Sequence, residues 1–166
     1  MNAPQIHLML NHIPVLGIVF VVAALVAGLW SQRGSLVRFG LFTLVAIAIV
    51  SAPVFFSGGR SEDAVERLAG VQKNMIEQHE DAATFVTAGL AVLGILALIT
   101  LIRYRKRVIP VPATAVVLAG AVLLSAALAW TAHLGGLIRH AELGGGTAAS
   151  APANSDAAAD AVSDRE

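Results

Sequence analysis

Cysteine is absent from the 166 residues, and charged residues make up only 13% of them. The first absence excludes disulfides, thiolate metal centres, iron–sulfur clusters and covalently attached c-type haem. The second sets the chain apart from soluble domains, in which about a quarter of the residues are charged. Basic and acidic residues balance at eleven each, and the basic ones form short clusters, so the sequence offers no electropositive surface for nucleic acid. Other chemistry is missing as well. No Gly-rich phosphate loop, no nucleophile beside a base and no spaced carboxylate pair inside an apolar run marks a hydrolase or phosphotransferase, and no catalytic activity of its own is expected. The apolar runs carry no charge at mid-depth and no broken-helix repeat, the marks of an ion or solute pathway.

What the chain has in abundance is apolar length. Hydrophobic residues reach 57% and fall into four blocks, each near the roughly 20 residues that a helix needs to cross a hydrocarbon core of about 30 Å. The expected spans are residues 6–30, 36–56, 82–102 and 112–138. Asn11 is a candidate N-cap for the first, and Pro14 is tolerable only in a first turn or at a kink. The N-terminal run has no basic n-region and continues to Trp30 without a small-residue cleavage site, so it reads as a retained helix and not as a signal peptide. Ser57-Gly58-Gly59 is expected to end the second span, with Pro53 bending its last turn.

Residues 57–81 make the one long connection, and it has a helical signal of its own. Ser61 can cap, Glu62, Asp63 and Glu66 suit first turns, and Val65, Leu68, Met75 and Ile76 share a stripe, which predicts an amphipathic helix from about Ser61 to Gln78. His79 extends that stripe into the third span. Arg103-Tyr104-Arg105-Lys106-Arg107 then stops the helix, and Pro110 and Pro112 open the fourth span. Gly144-Gly145-Gly146 and the Ala/Ser/Asp-rich segment to Glu166 have too little apolar surface to fold and are expected to be disordered. The fold class is therefore all-α: an integral membrane four-helix bundle over residues 1–143 with a tail over 144–166.

Orientation follows from the basic residues. Arg33 and Arg38 at the first connection and Arg103, Arg105, Lys106 and Arg107 at the third crowd two very short segments, whereas the long middle connection holds Arg60, Arg67 and Lys73. The positive-inside rule places the first and third connections in the cytoplasm and both termini outside. All eleven acidic residues and all five histidines then fall on the outer side, which in a bacterial inner membrane is the periplasmic or extracellular one.

A lone histidine near a helix end is an interfacial polar residue bonding water or headgroups. Here, however, three helices bring histidines to one side. His12, His79 and His133 lie at or just inside the outer boundaries of three spans, while His7 and His140 lie further out, a tier of roughly 8 to 10 Å away at about 1.5 Å rise per residue. Ala121, Ser125, Ala129 and His133 form an i+4 stripe of small residues, which serves close helix packing or a flat macrocycle equally. Neutral imidazole ligates both haem iron and transition ions, and a four-helix bundle can place such ligands on facing helices. The expected ligands are His12, His79 and His133, with His7 and His140 secondary. A zinc or copper site would want three or four donors, with Glu77, Glu80, Asp81 or Met9 as weaker supplements.

The opening His7-Leu8-Met9-Leu10-Asn11-His12-Ile13-Pro14, the Phe56-Ser57-Gly58 segment, His79 and the closing Leu134-Gly135-Gly136-Leu137 resemble the bacterial membrane family called domain of unknown function 2231. The likeness covers about Ile6 to Leu143. It implies a small four-helix inner-membrane protein without an established activity, and, through members joined to redox domains, an electron-transfer role. Leu8 stands where the commoner pattern has proline, so the resemblance points to His12 ahead of His7. Three functions are in play: a b-type haem or redox-linked electron-transfer subunit, a membrane protein binding divalent copper or zinc, and a cofactor-free partner or scaffold subunit. Its surroundings are the lipid bilayer, with a membrane redox partner or a second copy of the chain as candidate partners.

Overall fold

A computed structural model of the chain describes residues 3–66 and 73–139. All regular structure among them is helical: α1 (Ala3–Leu10), α2 (His12–Trp30), α3 (Gly34–Glu66), α4 (Lys73–Arg103) and α5 (Val111–Arg139). Four segments, His7–Trp30, Gly34–Gly59, Lys73–Arg103 and Val111–Ile138, are long and apolar enough to cross a membrane. Their order and positions follow the four apolar blocks of the sequence.

The boundaries differ from the sequence expectation at the histidine end, for local reasons. Helix already exists upstream of Asn11, whose N–H donates to the His7 carbonyl at 2.9 Å. Asn11 has helical backbone angles and makes no side-chain capping bond, because no free helix start is left there to cap. Pro14 has no N–H to offer the Leu10 carbonyl, which accounts for the interruption between α1 and α2 at that point. At the far end of the second span, Gly58-Gly59 does not stop α3, which continues to Glu66 with Pro53 in its interior. Helical glycine costs only about 1 kcal/mol relative to alanine, less than packing can supply. The predicted amphipathic helix is consequently shared: Ser61–Glu66 prolongs α3 and Lys73–Gln78 opens α4. Residues 67–72, the middle of that expectation, lie outside the described residues, as does the tail expected over 144–166.

The helices close a ring. α2 packs on α3, α3 on α4, α4 on α5 and α5 back on α2, with α1 against α3. Each contributes residues at helical spacing to one core: Ile18, Val21 and Leu25, then Leu41, Leu44 and Ile47, then Val86, Leu90 and Ala97, then Val117, Ala121 and Leu124. Gly94 lets α4 approach α3 so closely that a Cβ there would collide with Ala48, the small-residue contact that packs helices in lipid. Outside this core, large apolar side chains face outward all along the bundle, Phe20 at 67% and Leu123 at 73% exposure among them. Hydrocarbon solvates such a surface, and water would not. Buried Ser51, Thr100, Thr114 and Thr131 donate back to carbonyls four residues earlier, and among the described residues no buried side-chain polar atom lacks a partner.

The end that carries the basic residues is tied by Arg38. Its guanidinium donates to the carbonyls of Tyr104 and Arg107 at 2.7 Å each, pinning the α4–α5 connection to the start of α3. Beside it the α2–α3 connection turns through Gln32 at φ 54°, the left-handed residue with which helices commonly end.

Candidate functional site at the histidine end of the bundle

The helix directions bring His7, His12, His79 and His133 to the same end of the bundle; His140 lies outside the described residues. Depth along a helix does not decide which way a side chain faces, and there the four differ.

His79, in the second turn of α4, is half-buried, with Nδ1 3.0 Å from the Thr131 carbonyl of α5. A carbonyl only accepts, so Nδ1 carries the proton, and in the neutral ring Nε2 keeps its lone pair. His7 is arranged alike on the other side. It is half-buried, with Nδ1 3.1 Å from the Val54 carbonyl and 3.1 Å from Ser57 Oγ, and the Ser57 hydroxyl itself donates to Val54 O at 2.7 Å. In the neutral ring its Nε2 likewise keeps the lone pair.

Both accepting carbonyls already belong to helices, and each can take a second donor only if the space beside it is open. Helical Cβ atoms tilt toward the N-terminus, so the residue four positions on overlies the carbonyl. In both cases that residue is glycine. A Cβ at Gly58 would stand 3.0 Å from His7 Cε1, and one at Gly135 would stand 3.1 Å from His79 Cε1. These glycines form the seats in which the rings rest.

His12 and His133 face elsewhere. His12 follows His7 by five residues, about 140° around the helix, and is exposed, its Nδ1 donating to Leu8 O of its own helix at 2.8 Å. His133 stands two residues, about 200°, from buried Thr131; it is exposed beside Trp130, ring centroids 5.7 Å apart. The structure thus does not bring His12, His79 and His133 together, and among the described residues no three of His, Cys, Asp and Glu converge as a metal-binding group. Glu77, Glu80, Asp81 and Met9 are all exposed.

His7, secondary in the sequence reading because it lies further out, is half-buried against α3 at Val54, Ser57 and Gly58. A signal for this pairing was present in the chain: His7 precedes Gly17 by the same spacing as His79 precedes Gly89, and the pair Gly58-Gly59 recurs as Gly135-Gly136.

The family model described as "Predicted membrane protein (DUF2231)" matches residues 3–147. The chain belongs to that family. No curated protein and no solved structure matches it. Membership in DUF2231 agrees with the four apolar helices in making this a membrane protein, and it brings no assigned chemistry to the histidine end.

Proposed function

We propose that this chain is a small redox-linked membrane subunit that carries a b-type haem at its histidine end, with His79 and His7 as the iron ligands. The observation that carries the reading is the matched arrangement of these two rings, each with Nδ1–H committed to a helix carbonyl, which in the neutral ring leaves Nε2 with its lone pair. Ligating histidines are oriented in this manner, the second nitrogen being tied to a carbonyl or carboxylate so that tautomer and ring direction are fixed. Two imidazoles would suffice to hold haem iron, whereas zinc or copper asks for three or four donors. His79 keeps the place the sequence suggested, and His7 takes the second place ahead of His12 and His133, whose rings are exposed.

The chemistry supplied by such a group is one-electron transfer. The apolar surroundings and the hydrogen bonds to the ligand imidazoles set its potential. By the positive-inside rule the histidine end faces away from the cytoplasm, because Arg33, Arg38, Arg103, Arg105, Lys106 and Arg107 gather at the opposite end. In a bacterium that places electron exchange at the periplasmic or extracellular face of the inner membrane, where a membrane redox partner would meet the bundle.

Absorbance of the protein purified in mild detergent tests this. The expected result is a Soret band and an α band that sharpens on reduction, with iron at about one atom per chain. Stoichiometric copper or zinc without haem would transfer the function to a divalent-metal protein. Protein with neither would leave the histidine–carbonyl bonds as helix-to-helix ties in a cofactor-free partner or scaffold subunit.

A further inference from the structure

We infer that the bundle is two tandem copies of one helical hairpin, and that His7 and His79 are the equivalent halves of a single two-imidazole site seated by Gly58 and Gly135. The inference rests on the haem reading for the identity of the ligand, and on independent observations for the symmetry.

The correspondence runs the length of the bundle. On the leading helices, buried Pro14, Ile18, Val21, Leu25 and Gly28 match buried Val86, Leu90, Leu93, Ala97 and Thr100 at one constant offset, the same offset that relates His7 to His79. On the returning helices, buried Val37, Leu44, Ile47, Ser51 and Val54 match buried Thr114, Ala121, Leu124, Leu128 and Thr131, at the offset that relates Gly58-Gly59 to Gly135-Gly136. Contacts between the helices repeat with the residues. A Cβ at Gly17 would meet Ile47 at 2.7 Å, and one at its counterpart Gly89 would meet Leu124, the counterpart of Ile47, also at 2.7 Å. His7 bonds Val54 and rests on Gly58, and His79 bonds Thr131 and rests on Gly135. The second glycine of each pair, Gly59 and Gly136, faces open space in both copies.

A ring in which α2 meets α3 and α5, and α4 meets α5 and α3, is what a two-fold axis along the bundle generates from one hairpin. It sets α2 diagonally across from α4 and places one histidine on each side of the axis. The same correspondence separates these histidines from the others. His12 falls opposite Thr84 and His133 opposite Phe56, so neither has a partner in the other copy. A ligand on the axis would be held by one imidazole from each hairpin, His7 and His79, the donor type that haem iron takes.

Gly58 and Gly135 then act as positioning residues. A methyl group on either would press on the imidazole it supports, which would have to give by a few tenths of an ångström. Because the copies are equivalent, matched substitutions should have matched effects.

The test is titration of haemin into the full chain in detergent, read by absorbance and electron paramagnetic resonance. Wild type should give a six-coordinate low-spin spectrum. His7→Ala and His79→Ala should each convert it to a five-coordinate high-spin one, and the double variant should bind no haemin in the bundle. Gly58→Ala and Gly135→Ala should weaken haemin binding about 10- to 100-fold, the range for loss of a ligand's supporting contact, with similar shifts in g values. His12→Ala and His133→Ala should leave the low-spin spectrum in place. Should an alanine variant not fold, His79→Gly supplemented with free imidazole and His79→Met provide the same answer, the first by restoring the low-spin spectrum and the second by giving that of mixed imidazole–thioether ligation. A wild-type chain that binds no haemin would overturn both the haem reading and this site. Low-spin haemin that survives loss of His7 or His79 would overturn the paired site, and with it these two residues as the ligands, while leaving haem binding by the bundle standing.

Discussion

The two ends of the bundle solve the same mechanical problem with different side chains. At the basic end Arg38 donates to two carbonyls of the α4–α5 connection; at the histidine end His7 and His79 each donate to a carbonyl of the helix they pack on. Guanidinium has donors only, so once its N–H groups are placed nothing remains that can bind a metal or accept a proton. Imidazole has one nitrogen of each kind, so the nitrogen left over keeps a lone pair. The same kind of tie therefore leaves nothing over at one end and, in the neutral ring, a nitrogen with a lone pair at the other. The end with the stronger tie should matter more for stability, and the end with the weaker tie more for cofactor content.

Arg38→Ala is the largest expected stability effect. It removes two charge-assisted hydrogen bonds and leaves the Tyr104 and Arg107 carbonyls to find water. Bonds to charged groups contribute about 1.5–3 kcal/mol each, and Arg38 is partly exposed, so the loss should be about 2 kcal/mol in a detergent unfolding titration. Haem content per folded chain should stay at the wild-type value. A matching loss of haem would show that the ends are coupled and that the division of labour is wrong.

His79→Ala, or equally His7→Ala, inverts the result. A neutral hydrogen bond contributes about 0.5–1.5 kcal/mol, so unfolding should shift by about 1 kcal/mol, half the effect of Arg38→Ala, while the low-spin haem signal disappears. If the rings were ties and nothing more, the stability loss would be found with no spectroscopic change to accompany it. Gly136→Ala sharpens this at the neighbouring position. A Cβ there meets nothing, so the better helix propensity of alanine should stabilise by up to about 1 kcal/mol and leave the haem spectrum alone, in contrast to Gly135→Ala one residue away.

The spans were legible in the sequence because hydrocarbon demands little more than apolar length, and that demand is written in the four blocks from Ile6 to Ile138. The direction of a side chain at a span's end was harder to read. It depends on how far the neighbouring helix continues, and α3 passes through Gly58-Gly59, a pair that local propensity reads as a stop. Helix at Val54, Ser57 and Gly58 stands beside His7 and half-buries it, whereas depth counted from the apolar boundary leaves His7 in water. Rotation around the helix decided the others: His133 follows buried Thr131 by two residues and so must face outward. The repeated His–Gly spacing and the repeated Gly-Gly pair were readable, and they carry more about the site than depth did, because a repeat states which residues occupy equivalent environments.

The smallest expected effects are at His12 and His133. His12 bonds a carbonyl of its own helix and is exposed; His133 is exposed beside Trp130. Neither ties one helix to another, so His12→Ala and His133→Ala should change unfolding by no more than about 0.5 kcal/mol, the usual range for surface substitutions. Any change in haem content should be smaller than that of the Gly58 and Gly135 variants. The comparison is strict because all four histidines occupy one end of the bundle and differ mainly in the direction their rings face. A haem signal lost on removing His12 or His133 but kept on removing His7 would mean that depth, and not the tie to a neighbouring helix, selects the ligand, and that the helix end must turn its exposed rings inward when the cofactor binds.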